Sequence, residues 1–292
     1  MTELLALDKR RLRQSFAHAA DTYDAAAVLQ REIADRLLTR LDVVRLQPRV
    51  ILDMGCGTGY DLHQLSKRYR RAQVLGLDIA EAMAQRARSR AGLWRRLTGR
   101  SVFACGDAEC LPIATASVDM VVSNLALHWC NPQIVFGEAR RVLRPGGLLM
   151  FTTFGPDTLR ELRDAWRAAD DAPHVHAFID MHDIGDMLIH AGFADPVMDM
   201  EPFTLTYASV LEVMRDIKQL GAHNVALNRT RGLTGKTRFA RFRTAYESLA
   251  QNGKIPATYE AVYGHAWAPE TEPAHSRDGI AVVPVGRIGR RS

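Results

Sequence analysis

The sequence predicts an α/β fold: a mostly parallel seven-stranded sheet with a final antiparallel strand, a helical preface before the first strand and a helical lid inserted near the end. Three observations carry that expectation. Apolar strand-like runs and helix-like segments alternate from residue 50 to residue 154, as parallel strands joined by right-handed crossovers require. The rhythm then changes, and two strand-like runs, 197–207 and 257–267, flank a stretch with two helical patterns. Finally, the run Val50-Ile51-Leu52-Asp53-Met54 breaks into Gly55, Gly57 and Gly59 at alternate positions, a strand that ends in a turn.

The elements follow in order. Residues 8–46 read as a helical preface, with Val28, Ile33, Leu37, Leu38 and Leu41 at helical spacing and no glycine or proline before Pro48. Strand 50–54, a helix over about 60–69, strand 73–77, a helix over about 80–90, strands 101–104 and 118–122, helix 132–143 and strand 147–154 form the core. Pro145-Gly146-Gly147 stops the last of those helices before the apolar run Leu148-Leu149-Met150-Phe151. Helices are expected over 156–169, 182–191, 209–220 and 237–250. We therefore expect a single domain over 1–267, with the preface at 8–46, a core at 50–154 and lid or substrate elements at about 156–191 and 209–250. Residues 268–292 lack periodicity and read as a flexible tail.

Composition narrows the class. A chain of 292 residues, 47% of them hydrophobic, can bury a large core. It has no run of eighteen apolar residues, and its first residues lack the charge order of a signal peptide, so a cytoplasmic protein without membrane attachment is expected. Cys56, Cys105, Cys110 and Cys130 show no C-x-x-C spacing and read as reduced. The stretch His174, His176, Asp180, His182, Asp183 reads as a solvated loop leading into a helix, and no metal is expected.

Charge is uneven. Ten Lys or Arg face two acids between Lys67 and Arg100, and eight face one between Arg215 and Arg243, so two basic stretches are available to an anionic partner. They lack the interleaved aromatics that stack bases, so nucleic acid is not the expected partner.

The glycine turn is the strongest functional signal. Without a Cβ the backbone can approach a ligand closely, and the helix that follows points free N–H groups at it. Asp78 ends the next strand, about twenty residues on, where an acid accepts hydrogen bonds from a ribose diol. In such a sheet ligands lie beyond the carboxyl ends of the strands. Asp107 and Ala108 after the third strand, and Ser123, Asn124 and Leu125 after the fourth, are therefore further candidates, with His128 beyond them as a packed, hydrogen-bonded residue or as one that orients a substrate or serves as a base.

An acid two positions before G-x-G-x-G resembles motif I of the Rossmann-like class I S-adenosylmethionine (SAM) methyltransferases. The resemblance implies SAM as cofactor, with Asp53 near the methionine amino end, Gly55, Gly57 and Gly59 as the turn, Asp78 on the ribose, Asp107 and Ala108 at the adenine, and Ser123, Asn124 and Leu125 over the methionine part. A narrower resemblance spans residues 8–268. Ser15 to Asp24 with Gln30, Gly155-Pro156-Asp157-Thr158-Leu159, Phe178 to Asp183, Leu220 to Asn224, Gly232-Leu233-Thr234-Gly235-Lys236 and Tyr259 to Trp267 are similar to the malonyl-[acyl-carrier protein] O-methyltransferases of biotin synthesis.

That resemblance implies methyl transfer to the free carboxylate of a malonyl thioester, on an acidic acyl carrier protein or on CoA. A carboxylate is already ionised at neutral pH, so no general base is required. One cation plus neutral donors is the expected binding arrangement, since too tight an ion pair would blunt the nucleophile. The cation candidates are Arg160, Arg163, Lys218, Arg229 and Lys236, and Tyr23 and His223 are the neutral, positioning candidates. Arg238 and Arg241, in the second basic stretch, are candidates for carrier docking. Two rivals stay open: a SAM-binding respiratory-complex assembly factor, and a SAM methyltransferase acting on RNA or another small acid. The sequence does not speak to oligomeric state.

Overall fold

The computed structural model describes residues 7–225 and 235–270. Seven strands form one sheet in the order β3-β2-β1-β4-β5-β7-β6. They are β1 (Val50–Met54), β2 (Gln73–Asp78), β3 (Ser101–Cys105), β4 (Val118–Ser123), β5 (Leu143–Phe154), β6 (Ala194–Tyr207) and β7 (Ile255–Trp267). The pairs from β3 through β5 are all parallel, and β7 runs antiparallel to both of its neighbours, as the sequence led us to expect.

Helices α1 (Lys9–Ala19), α2 (Tyr23–Ala26) and α3 (Val28–Thr39) precede the sheet, and α4 (Tyr60–Arg68), α5 (Glu81–Arg90), α6 (Leu93–Leu97) and α7 (Pro132–Val142) join its parallel strands. Beyond β5 come α8 (Arg160–Arg167) and α9 (Met181–His190), and α10 (Val210–Gln219) and α11 (Lys236–Glu247) lie between β6 and β7.

Several boundaries differ from expectation: β5 already begins at Leu143, so Pro145-Gly146-Gly147 lie within the strand and do not stop the helix before it, and the helix expected over 156–169 is confined to Arg160–Arg167. The preface is three helices rather than one, because the chain turns at Thr22 and again at Ala27, whose N–H donates to Tyr23 O at 2.8 Å. The short α6 was not anticipated: Leu93, Trp94 and Leu97 are exposed, so no buried face gave it an amphipathic pattern. Among the described residues no helix is long and apolar enough to cross a membrane. Arg229, Gly232-Leu233-Thr234 and most of the 268–292 tail lie outside the described residues.

The central strands are apolar throughout because both faces are covered. Ile51, Met120, Val122, Leu148 and Met150 pack towards α3 and α4, whereas Leu52, Met54, Val121, Leu149 and Phe151 pack towards α7 and α9. Period-two alternation therefore turns Asp53 to the same side as Ile51, towards α4. Strand order reverses between β1 and β4, and the crevice at such a switch point is where ligands bind in open α/β sheets.

Candidate active site

The turn after β1 is clamped to β2. Leu77 O accepts from the N–H groups of Gly55 and Cys56 at 2.8 and 3.0 Å. Gly55 has φ +80°, and a Cβ there would stand 2.4 Å from Ala126 Cβ, so both conformation and space demand glycine. Gly57 N–H donates to Asp78 Oδ2 at 2.9 Å, and Ala80 N–H donates to Oδ1 at 2.8 Å, which fixes the carboxylate at the end of β2. Gly59 has a different role from the one expected. It does not line the crevice, and a Cβ would meet Ala87 of α5 at 2.9 Å, so this glycine lets α4 and α5 approach.

The crevice is lined by Gly55, Gly57, Asp78, Asp107, Ala108, Asn124 and Leu125, together with Lys9, Leu12, Phe16 and Tyr23 from the preface. Most of the expected cofactor positions thus converge. Asp107 accepts from Lys9 Nζ at 2.8 and 2.6 Å, and Lys9 also reaches Glu109 Oε2 at 2.6 Å, so α1 straps across the crevice. Asn124 donates to Gln30 O at 3.1 Å and accepts from Thr152 Oγ1 at 2.6 Å, and Leu125 N–H donates to the same hydroxyl at 2.9 Å. Ser123 does not face the crevice: its buried hydroxyl donates to Met54 O at 2.8 Å and ties β4 to β1.

Asp53 also sits elsewhere than expected. It is fully buried beneath the glycine turn, and neither carboxylate oxygen makes a well-formed hydrogen bond to any described residue. Asp61, on the first turn of α4, is buried beside it with an unpartnered Oδ1. Sequence reasoning placed Asp61 at the start of this helix and drew no role from it; a second acid shortly after the turn was the available signal. Burial, then the charges of Asp61 and Asp78, holds the Asp53 carboxyl well above the usual carboxylate range. Burial likewise raises Asp61, and it raises Asp78 to about 6 against the opposing hydrogen bonds from Ala80 and Gly57. With no cation beside them the three buried acids are drawn towards their neutral forms, and a positively charged ligand would favour their ionised forms. SAM, with its sulfonium and ammonium charges and a ribose diol for Asp78, fits these residues.

A second cavity of about 350 Å³ adjoins the first, and Phe16, Tyr23, Leu125 and Trp129 line both. Its wall is largely aromatic: Phe154, Phe178, Trp166 and Tyr259 join His128, His174, His176 and His223. The segment around His174 and His176 is therefore a cavity wall and not the solvated loop the sequence suggested. His174 stacks on Trp166 at 3.7 Å and bonds to Asp170 at 2.7 Å, and Trp166 stacks on Phe242 at 4.0 Å. The loop does lead into a helix as expected, with Asp180 capping α9. Among the described residues no cluster suits a metal ion.

Of the candidate acceptor residues, Tyr23, His223 and Lys218 line this cavity. The other cations among the described residues do not. Arg160 pairs with Asp157 and Glu161 on an exposed face, and Arg163 donates to Pro156 O and Thr158 O at 2.7 and 2.6 Å. Lys236, Arg238 and Arg241 lie exposed on α11, with Arg238 reaching Asp170 at 3.3 Å. Sequence spacing could not separate these cations, because their partners come from other elements. Burial lowers the pKa of His128 far below its usual value, and burial followed by the Arg163 charge lowers that of His176 to about 4, so both rings are neutral.

Comparison with known proteins agrees with this geometry. A family model described as a methyltransferase domain matches residues 52–151. A malonyl-[acyl-carrier protein] O-methyltransferase of Gallionella capsiferriformans is 52% identical over 280 residues, covering 95% of this chain and 96% of that protein. Its counterpart in Laribacter hongkongensis is 53% identical over 283 residues, covering 95% of each. Among solved structures, the YcgJ protein from Bacillus subtilis superposes with a TM-score of 0.56 at 19% identity, covering 80% of this chain and 98% of that one. A putative methyltransferase from Bacillus halodurans gives 0.55 at 19% identity, over 81% and 98%. At that identity the two structures speak to the fold alone.

Proposed function

We propose that this chain, which belongs to the malonyl-[acyl-carrier protein] O-methyltransferase family, transfers a methyl group from SAM to the free carboxylate of a malonyl thioester on an acyl carrier protein. The product is the methyl ester that biotin synthesis elongates. The observation that carries the reading is the junction of two unlike cavities, a carboxylate-bearing crevice at the switch point and an aromatic chamber, which share Phe16, Tyr23, Leu125 and Trp129.

SAM, when bound, supplies an electrophilic methyl group on a sulfonium. The remaining work falls to the chain. Asp78 is assigned to the ribose and Asp107 with Ala108 to the adenine, and Asn124 and Leu125 stand over the methionine part. Gly55 and Gly57 let the backbone come close, whereas Asp53 and Asp61, whose burial favours the neutral carboxyl, lie beneath the turn and ionise only where a cation offsets that burial. Lys218 is the cation assigned to draw in the acceptor's carboxylate. Tyr23, half-buried with its phenol kept protonated, is assigned to position the reacting groups where the cavities meet, with His223 on the chamber wall. The aromatic walls exclude water, which favours attack by a desolvated carboxylate oxygen. No general base enters, since the nucleophile is already ionised.

The carrier partner is read as acidic, with the exposed Lys236 and Arg241 on α11 as its docking side. Arg238, engaged with Asp170, is a weaker candidate. Residues 1–267 are read as one methyltransferase domain, and nucleic acid has no part in the reading.

Mass spectrometry of malonyl-carrier protein incubated with the full chain and SAM tests the proposal. A gain of one methyl group, lost on Asp78→Ala, is the expected result, with malonyl-CoA run in parallel to rank the two thioesters. No gain, with SAM binding intact by calorimetry, would reject the acceptor and favour the assembly-factor or RNA reading.

A further inference from the structure

We infer that the paired imidazoles of His128 and His176 form the neutral donor site for the acceptor's carboxylate; this rests on the acceptor reading above. Both rings line the aromatic chamber, with ring centroids 6.2 Å apart and planes inclined by 17°. They come from separate segments, His128 from the stretch after β4 and His176 from the loop before α9.

Neither ring hydrogen-bonds to any described residue, and His128 Nδ1 and His176 Nε2 are buried without a partner. The neighbouring His174 shows the contrast: its Nε2 is committed to Asp170 at 2.7 Å. A histidine's tautomer is set by the bond its second nitrogen makes. With no such bond, each of these rings can keep a lone pair on its buried nitrogen and carry its proton on the other. Two N–H donors are thereby free for an oxygen ligand.

The surroundings favour donors without charge. Trp129, Phe154 and Phe178 pack against the His128 ring, and Trp129 and Phe178 also pack against His176. The nearby Arg163 opposes protonation of His176; its Nη2 donates to Pro156 O and Thr158 O, and its Nε is buried without a partner among the described residues. Neutral donors orient a carboxylate without neutralising it, so the attacking oxygen keeps its electron density. Such a site also discriminates. An acetyl thioester has no carboxylate to offer, and the rings would stay unpaired, a situation that disfavours binding.

The test measures binding of malonyl- and acetyl-carrier protein to the full chain loaded with S-adenosylhomocysteine, alongside methyl transfer by the parent. His128→Phe and His176→Phe keep an aromatic ring without the donors, and His176→Asn keeps a neutral donor. Each Phe variant should weaken malonyl-carrier binding at least tenfold, leave acetyl-carrier binding and S-adenosylhomocysteine affinity unchanged, and erase the preference between the two carriers. His176→Asn should restore part of that preference. Folded Phe variants that hold malonyl-carrier within twofold of the parent would overturn the inference, even if the parent methylates. A parent that binds the malonyl carrier but does not methylate it would reject the acceptor reading alone, and the histidine variants would still decide the binding site. A parent that binds neither carrier would overturn both.

Discussion

Lys9 Nζ lies 2.6 Å from Asp107 Oδ2, so the first helix is latched to the turn that closes the third strand. Both side chains are about one-third exposed, at 31% and 30%, so the pair contributes under about 1 kcal/mol to overall stability. Its effect falls instead on the crevice that α1 covers. Lys9→Ala should raise the SAM dissociation rate several-fold with Tm nearly unchanged. Stopped-flow displacement at low salt measures this, and the difference from the parent should shrink as salt screens the parent's own latch.

Asp78 links cofactor affinity to pH. Its pKa is raised by burial to about 6, so in the ligand-free protein it is mostly protonated at pH 5 and mostly ionised at pH 7. A raised carboxyl pKa means that the folded state holds a proton the unfolded state has lost, so this group costs the free protein stability as pH rises from about 4 to about 6, and the cost is constant above that. A cationic ligand prefers the ionised form. SAM affinity should therefore rise about tenfold from pH 5 to pH 7, and binding near pH 6 should release protons. Calorimetry in two buffers of different ionisation enthalpy measures both; affinity that falls with pH would contradict the assignment.

Gly55→Ala should abolish tight SAM binding. The new methyl group would stand 2.4 Å from Ala126 Cβ on a backbone with φ +80°, so the turn or the Ala126 segment must move. Strain and overpacking together cost about 1–3 kcal/mol of stability. Thermal unfolding with and without SAM separates the two effects: the substituted chain should unfold at a lower temperature and lose most of its ligand-induced shift.

Trp166→Ala should disturb the acceptor chamber more than the crevice. The indole is buried between His174 and Phe242 and so joins α8, the loop before α9 and α11. The cost in urea unfolding should be about 3–5 kcal/mol. SAM binding by the surviving folded protein should persist, while the KM for the acceptor rises.

What the sequence disclosed tracks how local each feature is. The strand, the glycine turn, Asp78 and the alternation of elements were legible because neighbouring residues set them. Asn124, Leu125, Asp107 and Ala108 were reachable because the sheet brings the ends of parallel strands to one edge. Asp61 was harder to see: its environment depends on Asp53 lying beneath the same turn. Gly59 and Ser123 matched the motif positions but pack against Ala87 and bond to Met54 O, partners that only tertiary structure reveals. His176 was read as solvated because nothing local indicates that its loop folds back beside His128 and Trp129. The arginines illustrate the same limit, since Arg238 and Asp170 meet from distant parts of the chain.

The rung that pairs Tyr207 with Ile255 has a consequence for how such a chain can change over time. The chain leaves the sheet at one of these residues and returns at the other, side by side, so the excursion carrying α10 and α11 starts and ends at a single point. Lengthening a loop whose ends are already held together costs little entropy, about 0.6 kcal/mol per doubling. Insertions and deletions there can remodel the chamber's outer wall, Lys218 included, without altering strand register or the crevice. Selection for a new acceptor can then act on the exposed parts of one excursion, its buried Val213, Phe242 and Tyr246 kept, while the methyl-donor machinery is inherited intact.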